Sequence, residues 1–300
     1  MHGLLSLPLL CLSLAFMARP MTAAPAPAIA IDTTSFSTYF RYAAIAYSSD
    51  ISAYGTWSCP LCLDASIRDT TNVTFTPSPD DAQEQGYIAV SPSLKTIIFA
   101  VRGSRTVEEW LNNLQIWKRA LPITNRPTGV EVHSGFWDVW AQLRPIMEPT
   151  LARHLNANPG YTVTFVGHSL GGAVTQLAAV DFAARGIVPA SNAQLITFGQ
   201  PRVGSIEFSQ YFGKLGFKQV VRVINKSDIV PVEQAFFHLP PAFLDYRHQY
   251  HEYWINKSGV LITNCNDDTN GKEATNCANT QITKLSVPDH LSYFGISLPK

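Results

Sequence analysis

Ser169 is a candidate nucleophile because of the residues on either side of it. An apolar run at 161–166 precedes it and an Ala-rich stretch at 172–184 follows it, which predicts a strand before the serine and a helix after it. A nucleophile elbow needs this order, since the serine must stand on a sharp strand-to-helix turn with its hydroxyl exposed. Glycines two residues away on each side carry no Cβ where strand and helix cross. The complete motif is Gly167-His168-Ser169-Leu170-Gly171.

A serine hydroxyl needs a base to accept its proton and an acid to orient that base. In α/β-hydrolases the acid and then the base follow the serine along the chain. Asp228 is the candidate acid, because it follows a predicted strand at 219–224 and precedes Pro231, which stops the strand. Three other carboxylates after the serine fit this pattern less well, because Asp181 lies on the predicted helix and Asp267 and Asp268 lie in the polar loop between Cys265 and Cys277.

Four histidines after the elbow are candidate bases: His238, His248, His251 and His290. The residues favour His290, which precedes the aromatic pair Tyr293 and Phe294, but they leave His248 and His251 open. Two earlier histidines are given structural roles. His168 is expected to pack inside the elbow, and His133 to be a structural or pocket-wall residue.

Strands and helices alternate along the chain around these residues. Helices are predicted at 35–48, 135–155, 172–184 and 206–214, and strands at 86–90, 96–101, 161–166, 194–198 and 219–224. The alternation predicts a mostly parallel central sheet covered by helices, in the order of an α/β-hydrolase fold. We find no linker, repeat or charge run, so residues 31–300 are predicted to form a single domain.

The first residues of the chain predict export. The apolar run at 4–16 is too short to span a bilayer and is followed by small residues, as in a secretory signal peptide. We assign residues 1–24 to it, with cleavage expected between 23 and 30. The mature protein is then secreted and extracellular, without an integral membrane segment.

Cysteines and sequons fit an oxidising compartment. Once Cys11 leaves with the signal peptide, four cysteines remain, which we pair as Cys59–Cys62 and Cys265–Cys277, although spacing alone leaves crossed pairs open. The Cys59–Cys62 motif is interpreted as a structural clip, because no thioredoxin-like context surrounds it. Glycans are expected at Asn72 and Asn256, whereas the sequon at Asn225 lies too close to the acid.

Charge and composition limit the possible partners. Lys and Arg number 22 and Asp and Glu number 22, so no overall field favours nucleic acid, and substrate attraction is expected to be apolar. No cluster has the spacing of metal ligands, and neither a metal nor another cofactor is expected. We expect a monomer.

Five motifs in order resemble one known family. They lie at 100–104, 167–172, 200–204, 225–231 and 289–295. This set resembles the filamentous-fungal class 3 lipases of the Rhizomucor and Thermomyces type, over residues 36–295. The resemblance implies that Ser169 is the nucleophile, Asp228 the acid and His290 the base. It also implies oxyanion donors at Ser104 and at the backbone N–H of Leu170. The cysteine pattern resembles the Rhizomucor type but lacks that group's long-range bridge between the termini, which leaves terminal anchoring open.

The segment after Ser104 has a helical apolar face, with positions at i, i+3, i+4 and i+7. These positions are Val107, Trp110, Leu111 and Leu114. Periodicity also fits a surface helix packed permanently on the core, but the family resemblance implies a lid over the site. Burying four such side chains is worth on the order of 6–12 kcal/mol, so opening in water is expected to be unfavourable.

Together these observations predict a secreted serine esterase, a triacylglycerol lipase that acts at a lipid–water interface. Alternatives on the same fold are a feruloyl esterase, a mono- or diacylglycerol lipase and a phospholipase A1. The apolar lid face argues against the feruloyl esterase, and the complete Ser169, Asp228 and His290 set argues against an inactive lipid-binding protein.

Overall fold

A central eight-stranded sheet organises the protein. The computed structural model describes residues 35–48, 55–77, 85–104, 106, 117–232, 244–281 and 284–299. The predicted signal peptide, the four lid positions Val107, Trp110, Leu111 and Leu114, and the candidate base His238 lie outside these ranges. The domain boundaries of the sequence analysis stay a prediction.

The order of the strands in the central sheet is β1-β2-β3-β6-β7-β9-β11-β12. The middle strands β3, β6, β7, β9 and β11 pair in parallel, whereas β1, β2 and β12 pair antiparallel at the two ends. These strands are β1 (Thr71–Pro77), β2 (Gln85–Ser91), β3 (Thr96–Val101), β6 (Thr162–His168), β7 (Ala193–Phe198), β9 (Gln219–Asn225), β11 (Glu252–Ile255) and β12 (Leu261–Ile262). The predicted mostly parallel sheet is confirmed.

Six α-helices are present in the described part of the chain. They are α1 (Ser35–Ile45), α2 (Ser134–Ala157), α3 (Leu170–Ala184), α4 (Ile206–Lys214), α5 (Ile229–Val232) and α6 (Val287–His290). Helix α3 is buried over most of its length, because its Ala-rich sequence lets it pack closely on β6. Helices α2 and α3 also pack on each other and on β2 and β3.

Aromatic side chains fill the layer between the sheet and these two helices. Phe99 of β3 and Phe165 of β6 have ring centroids 5.1 Å apart, and Phe182 of α3 lies 5.8 Å from Phe99. Trp140 of α2 completes the group and donates its indole N–H to Asp181 at 3.1 Å. The buried donor is thereby satisfied, and α2 is fixed against α3.

Elements with a weak sequence signal were missed. They include β1 and β11 of the central sheet and the whole of a second sheet, whose strands have the order β10-β8-β5-β4. Its strands are β4 (Lys118–Ala120), β5 (Glu131–His133), β8 (Gly204–Ser205) and β10 (Tyr246–Arg247). The strands of this second sheet have only two or three residues and therefore no measurable periodicity, so only tertiary pairing defines them. A hairpin of β13 (Ser292–Tyr293) and β14 (Ile296–Ser297) ends the described chain.

Both disulfides predicted from local spacing are present, rather than the crossed pairs. Cys59 is bonded to Cys62, and Cys265 is bonded to Cys277. Near the C-terminus, the N–H of Leu298 donates to the carbonyl of Leu291 at 3.1 Å, which extends the pairing of the β13–β14 hairpin by one backbone bond.

The middle parallel strands bring the candidate residues to one edge of the sheet. Strands β3, β6 and β9 end at Val101, His168 and Asn225. Ser104, Ser169 and Asp228 follow these ends within three residues. Because the carboxyl ends of parallel strands share an edge, residues far apart in sequence gather there.

A pair of adjacent glycines tests how tightly β3 packs on the start of α3. A Cβ on Gly171 would collide with the backbone carbonyl of Val101, whereas one on Gly172 would lie 3.2 Å from side-chain carbons of Gln200. We expect Gly171→Ala to lower the free energy of unfolding by about 1–3 kcal/mol through overpacking. Gly172→Ala is expected to stay within about 1 kcal/mol of wild type, because the helix-propensity gain offsets the tight contact. Urea denaturation of both variants measures this, and equal losses would contradict the packing argument.

Candidate active site

Ser169 lies between β6 and α3 with a strained backbone. Its φ of 58° and ψ of −133° belong to a region that residues with a side chain rarely adopt. Its N–H donates to the carbonyl of Phe198 in β7 at 2.9 Å, which holds the turn to the neighbouring strand. Its Oγ is buried and makes no hydrogen bond within the described part of the chain. This is the geometry of a nucleophile elbow.

Asp228 and His290 form a buried pair beside this turn. Nδ1 of His290 lies 2.8 Å from Oδ1 and 3.0 Å from Oδ2 of Asp228, and both side chains are fully buried. Because a carboxylate accepts, Nδ1 carries a hydrogen, and in the neutral ring Nε2 carries none. That Nε2 makes no hydrogen bond within the described residues. The pair therefore leaves Nε2 available as a candidate base.

Local structure places each member of the pair. The turn after β9 is closed by a bond from the N–H of Asp228 to the carbonyl of Asn225 at 2.8 Å. His290 ends α6, a short helix capped by Ser286, whose hydroxyl accepts the N–H of Asp289 at 3.1 Å. A bridge between Asp228 and Ser286 joins the acid loop, which we define as residues 226–228 between β9 and α5, to the start of this helix. The acid and the base thus lie on segments that pair directly with each other.

Two further side chains hold the pair, and neither was assigned that role from sequence. The hydroxyl of Tyr293 donates to Oδ2 of Asp228. The amide of Asn225 donates to the carbonyls of Asp289 at 3.0 Å and Ser292 at 2.8 Å. These bonds satisfy carbonyls on both sides of His290 and occupy the Asn225 side chain. The aromatic residue after the histidine was the available sequence signal for Tyr293.

Gly199 leaves the space that the pair occupies. A Cβ there would lie 2.7 Å from Oδ2 of Asp228 and 2.8 Å from Nδ1 of His290. The residue also has a φ of +55°, which favours glycine. It directly follows Phe198, the acceptor of the Ser169 N–H, so the same stretch of backbone touches the serine turn and the acid–base pair.

His168 joins the serine turn to the candidate base. Its Nε2 lies 2.8 Å from the backbone carbonyl of His290, so that nitrogen carries the hydrogen and donates. Its Nδ1 then accepts from the hydroxyl of Tyr47, which follows α1, at 2.8 Å. Burial, and secondly the nearby His290, holds the pKa of His168 well below its usual value of 6.5, so the ring is neutral. The packing role expected from sequence is thus accompanied by a specific bond to the base.

One candidate oxyanion donor directly follows Ser169, and the other lies in the loop after β3. Leu170 is the first residue of α3, so its N–H has no acceptor within the helix. Ser104 is half-buried and follows β3, whose end packs against Gly171. Backbone donors at a helix start and on a neighbouring strand loop are the arrangement that stabilises a developing oxyanion.

The alternative histidines are engaged elsewhere. Nε2 of His248 donates to the carbonyl of Pro231 at 2.9 Å, and burial holds the pKa of this ring well below 6.5. His251 precedes β11, and burial lowers its pKa as well. His133 caps α2 by accepting the N–H of Phe136 at 3.2 Å, and the two rings stack. His133 thus has the structural role expected of it.

The alternative carboxylates also have structural partners. Asp181 accepts bonds from Trp140 and Arg185 inside the helical layer. Asp267 lies beside Arg222 and accepts the N–H of Glu252 at 2.7 Å. Asp268 accepts N–H groups of its own loop. Of the four candidate acids, Asp228 is the one that the structure places against a histidine Nδ1.

The described residues contain one group with three potential metal-ligand side chains, Glu252 with Cys265 and Cys277. The two sulfurs are bonded to each other, so they offer no thiolate. In the same part of the chain, we find no helix with the length and hydropathy needed to cross a bilayer.

Known proteins with similar sequences are lipases. A family model described as lipase (class 3) matches residues 98–237. A lipase from Rhizomucor miehei is 34% identical over 262 residues, which cover 86% of this chain and 68% of the relative. A lipase from Rhizopus niveus is 30% identical over 264 residues, covering 87% of this chain and 63% of the relative. The chain therefore spans about two thirds of the length of these relatives.

Solved structures give the same result. The Rhizomucor miehei triacylglyceride lipase superposes with a TM-score of 0.77 at 30% identity, covering 90% of this chain and 97% of that one. A triacylglycerol lipase whose catalytic centre is described as a serine protease triad superposes with a TM-score of 0.78 at 31% identity, with coverage of 90% and 97%.

The neutral state of His168 makes stability depend on pH. In the unfolded chain this histidine binds a proton below its usual pKa of 6.5, but in the folded protein it resists protonation. The free energy of unfolding should therefore fall as pH drops below about 6.5, by up to about 1.4 kcal/mol per pH unit for this one group. We expect His168→Gln to reduce that slope, since glutamine does not titrate. Urea denaturation between about pH 7.5 and 5 measures both slopes, and identical slopes would rule out a neutral buried His168.

Proposed function

Because the chain belongs to the class 3 lipase family and is a carboxylic ester hydrolase, we propose that it is a secreted triacylglycerol lipase working through Ser169, His290 and Asp228. The observation that carries this proposal is the buried His290–Asp228 pair, which a hydrogen bond from His168 to the His290 carbonyl joins to the strained turn of Ser169. Tyr47, His168 and Gly199 tie these segments together.

In the proposed reaction, Nε2 of His290 accepts the hydroxyl proton of Ser169 while Oγ attacks the ester carbonyl. The carbonyl electrons move to the oxygen, which the N–H of Leu170 and the donors of Ser104 stabilise. Asp228 keeps the Nδ1 hydrogen in place and stabilises the imidazolium. When the intermediate collapses, the bond to the alcohol breaks and His290 protonates that oxygen.

The acyl group then remains on Ser169 as an ester. A water molecule takes the place of the alcohol, gives a proton to Nε2 of His290, and attacks the acyl carbon. Collapse of the second intermediate returns the proton to Oγ and releases the carboxylic acid. The enzyme is restored, and one ester bond has consumed one water.

Exposed apolar side chains support a lipid substrate. Leu291 directly follows His290 and is 39% exposed, and Trp117, before β4, is 69% exposed. Together with the zero net charge, these side chains favour contact with a lipid surface over an ionic substrate. The apolar face of Val107, Trp110, Leu111 and Leu114 in the sequence supports the same proposal, with this segment acting as a lid.

A second candidate substrate class is mono- and diacylglycerol. A secreted mono- and diacylglycerol lipase from Fusarium solani is 29% identical over 231 residues, covering 75% of this chain and 64% of the relative. This similarity and the predicted signal peptide also support export. Within that proposal, Asn72 is an exposed glycan acceptor, and Asn256 is a second acceptor on a half-buried turn.

Removing members of the proposed triad should show that they act as one unit. We expect Ser169→Ala to abolish hydrolysis of p-nitrophenyl butyrate, and His290→Ala or Asp228→Asn to lower kcat by about 10⁴-fold or more. Double variants should lose little beyond the single ones. Circular dichroism checks that each variant is folded. Mass spectrometry of the Ser169 peptide checks that an organophosphate forms its adduct with wild type at this serine. Retained turnover in Ser169→Ala would exclude the mechanism.

The exposed leucine beside the base tests the lipid interface. Leu291→Ser should reduce hydrolysis of emulsified triolein several-fold more than hydrolysis of dissolved p-nitrophenyl acetate, because it removes an apolar contact that only a lipid surface uses. Leu94→Ser is the matched control. It is 36% exposed, but it lies in the β2–β3 turn at the opposite edge of the sheet.

A substrate panel separates the alternatives. Wild-type protein should prefer triolein to methyl ferulate and phosphatidylcholine. A strong preference for monoolein would favour the mono- and diacylglycerol assignment. Efficient hydrolysis of dissolved methyl ferulate with poor hydrolysis of triolein would replace the lipase proposal with a feruloyl esterase.

A further inference from the structure

Two buried arginines lie next to the acid loop. Arg222 is on β9, the strand that leads to Asp228, and its side chain is 0% exposed. Arg202 lies after β7 in the 200–204 motif, and its side chain is 1% exposed. A guanidinium shielded from water to this degree is costly unless carboxylates compensate it. It therefore matters which segments of the chain supply those carboxylates.

One disulfide-closed loop contributes a carboxylate to each arginine. This loop, 265–277, is closed by the Cys265–Cys277 bond. Its Glu273 binds Arg202 through two parallel bonds of 2.7 Å, to Nε and Nη2. Its Asp267 lies 3.6 Å from Nη2 of Arg222. The loop thus places one carboxylate beside each of the two buried arginines.

Strand β11 attaches the two ends of this loop. Oδ2 of Asp267 accepts the N–H of Glu252 at 2.7 Å. Glu252 in turn binds Arg222 at 3.0 Å and accepts the N–H of Ala278, the residue after Cys277, at 2.9 Å. The beginning and the end of the loop are therefore held by the same residue of the sheet.

A short chain of bonds connects Glu273 to the segment that carries Asp228. Oε1 of Glu273 also accepts the backbone N–H of His248 at 2.9 Å. Nε2 of His248 donates to the carbonyl of Pro231 at 2.9 Å. Pro231 belongs to α5, which begins at the residue after Asp228, and the N–H of Val230 in that helix donates to Oδ1 of Asp228 at 2.9 Å.

We propose that Glu273 is a positioning residue for Asp228, and that the disulfide loop 265–277 acts as a clamp that holds α5 through His248 and Pro231. Without the clamp, the hydrogen bond from His248 to the Pro231 carbonyl loses its support, and the Asp228 carboxyl loses its fixed direction toward His290. This inference rests on the proposed triad.

A second arginine–glutamate pair provides a matched control. Glu148 of α2 also binds an arginine through two bonds, to Nη1 and Nη2 of Arg185 at 3.0 and 2.7 Å. Its side chain is 31% exposed, and the other carboxylate partner of Arg185 is Asp181 of α3. Removing Glu148 therefore tests the loss of an ion pair that is not part of the chain of bonds to Asp228.

The main experiment compares Glu273→Ala, Glu273→Gln and Glu148→Ala with p-nitrophenyl butyrate as substrate, at a temperature where circular dichroism shows each variant folded. We expect Glu273→Ala to lower kcat roughly tenfold or more with KM within about twofold, because misplacing a catalytic group affects the chemical step. Glu273→Gln keeps an acceptor for the His248 N–H and should recover part of the rate. Glu148→Ala should stay within about twofold of wild type.

Active-site titration with an organophosphate distinguishes positioning from loss of folded protein. If the clamp positions Asp228, all molecules of Glu273→Ala are labelled at Ser169, but each one reacts and turns over slowly. A loss of activity in proportion to the fraction labelled, with normal turnover per labelled site, would overturn the proposal. Unchanged kcat in Glu273→Ala would overturn it as well.

Two further comparisons decide the question if Glu273→Ala does not fold. His248→Gln retains a side-chain donor for the Pro231 carbonyl and His248→Ala does not, so the glutamine variant should be the more active. In Cys59→Ser/Cys62→Ser, a phosphine reductant can open only the Cys265–Cys277 bond, and kcat should then fall while labelling remains complete. Equal rates in both comparisons would refute the clamp. If the proposed triad itself were wrong, the result would be different, because Ser169 would not be labelled even in wild type.

Discussion

The strained backbone of Ser169 is the constraint on which the rest of the site depends. A residue with a side chain at φ 58° and ψ −133° costs on the order of 1–3 kcal/mol, so the surroundings must hold it there. Strand β6 supplies the support because it lies in the middle of the sheet, paired with β3 on one side and β7 on the other. The bond from Ser169 to Phe198 extends that pairing into the turn itself. The close approach of β3 to α3 at Gly171 fixes the helix start.

The same edge of the sheet buries many polar groups, and their hydrogen-bond partners fix its arrangement. Asp228 accepts from His290, Tyr293 and the backbone of Val230, and His168 is paired at both ring nitrogens. In a low-dielectric interior a fully bonded polar network has a single favourable arrangement, whereas a partly bonded one does not. Ser169 Oγ and His290 Nε2 are the buried exceptions within the proposed triad, and they are the two atoms between which the proposed reaction moves a proton.

Buried ion pairs extend this fixed arrangement of polar groups beyond the proposed catalytic residues. Arg222 lies on β9, the strand that leads to the acid loop, and Arg202 follows β7. Their carboxylate partners are Glu252 of β11 and, from the disulfide-closed loop 265–277, Asp267 and Glu273. Buried ion pairs of this kind contribute little net stability, because desolvation offsets their attraction. They are, however, strongly directional, since the bidentate Arg202–Glu273 geometry permits only one placement of the loop. Specific placement, rather than stability, is what an acid loop requires.

The sequence by itself determined the elements with a strong local signal. The apolar run before Ser169, the Ala-rich helix after it and the alternation of strands and helices gave the parallel sheet, since burial on both faces of a strand leaves an apolar sequence. Local cysteine spacing favoured both disulfides but left crossed pairs open, and the structure decided between them. Resemblance to a family, rather than periodicity, selected His290 from four histidines. Only the tertiary structure decided which histidine faces Asp228, because that contact joins residues 62 positions apart. It alone revealed the roles of Tyr47, Tyr293 and Glu273, whose partners lie far away in sequence and whose residue types are ordinary in any buried core.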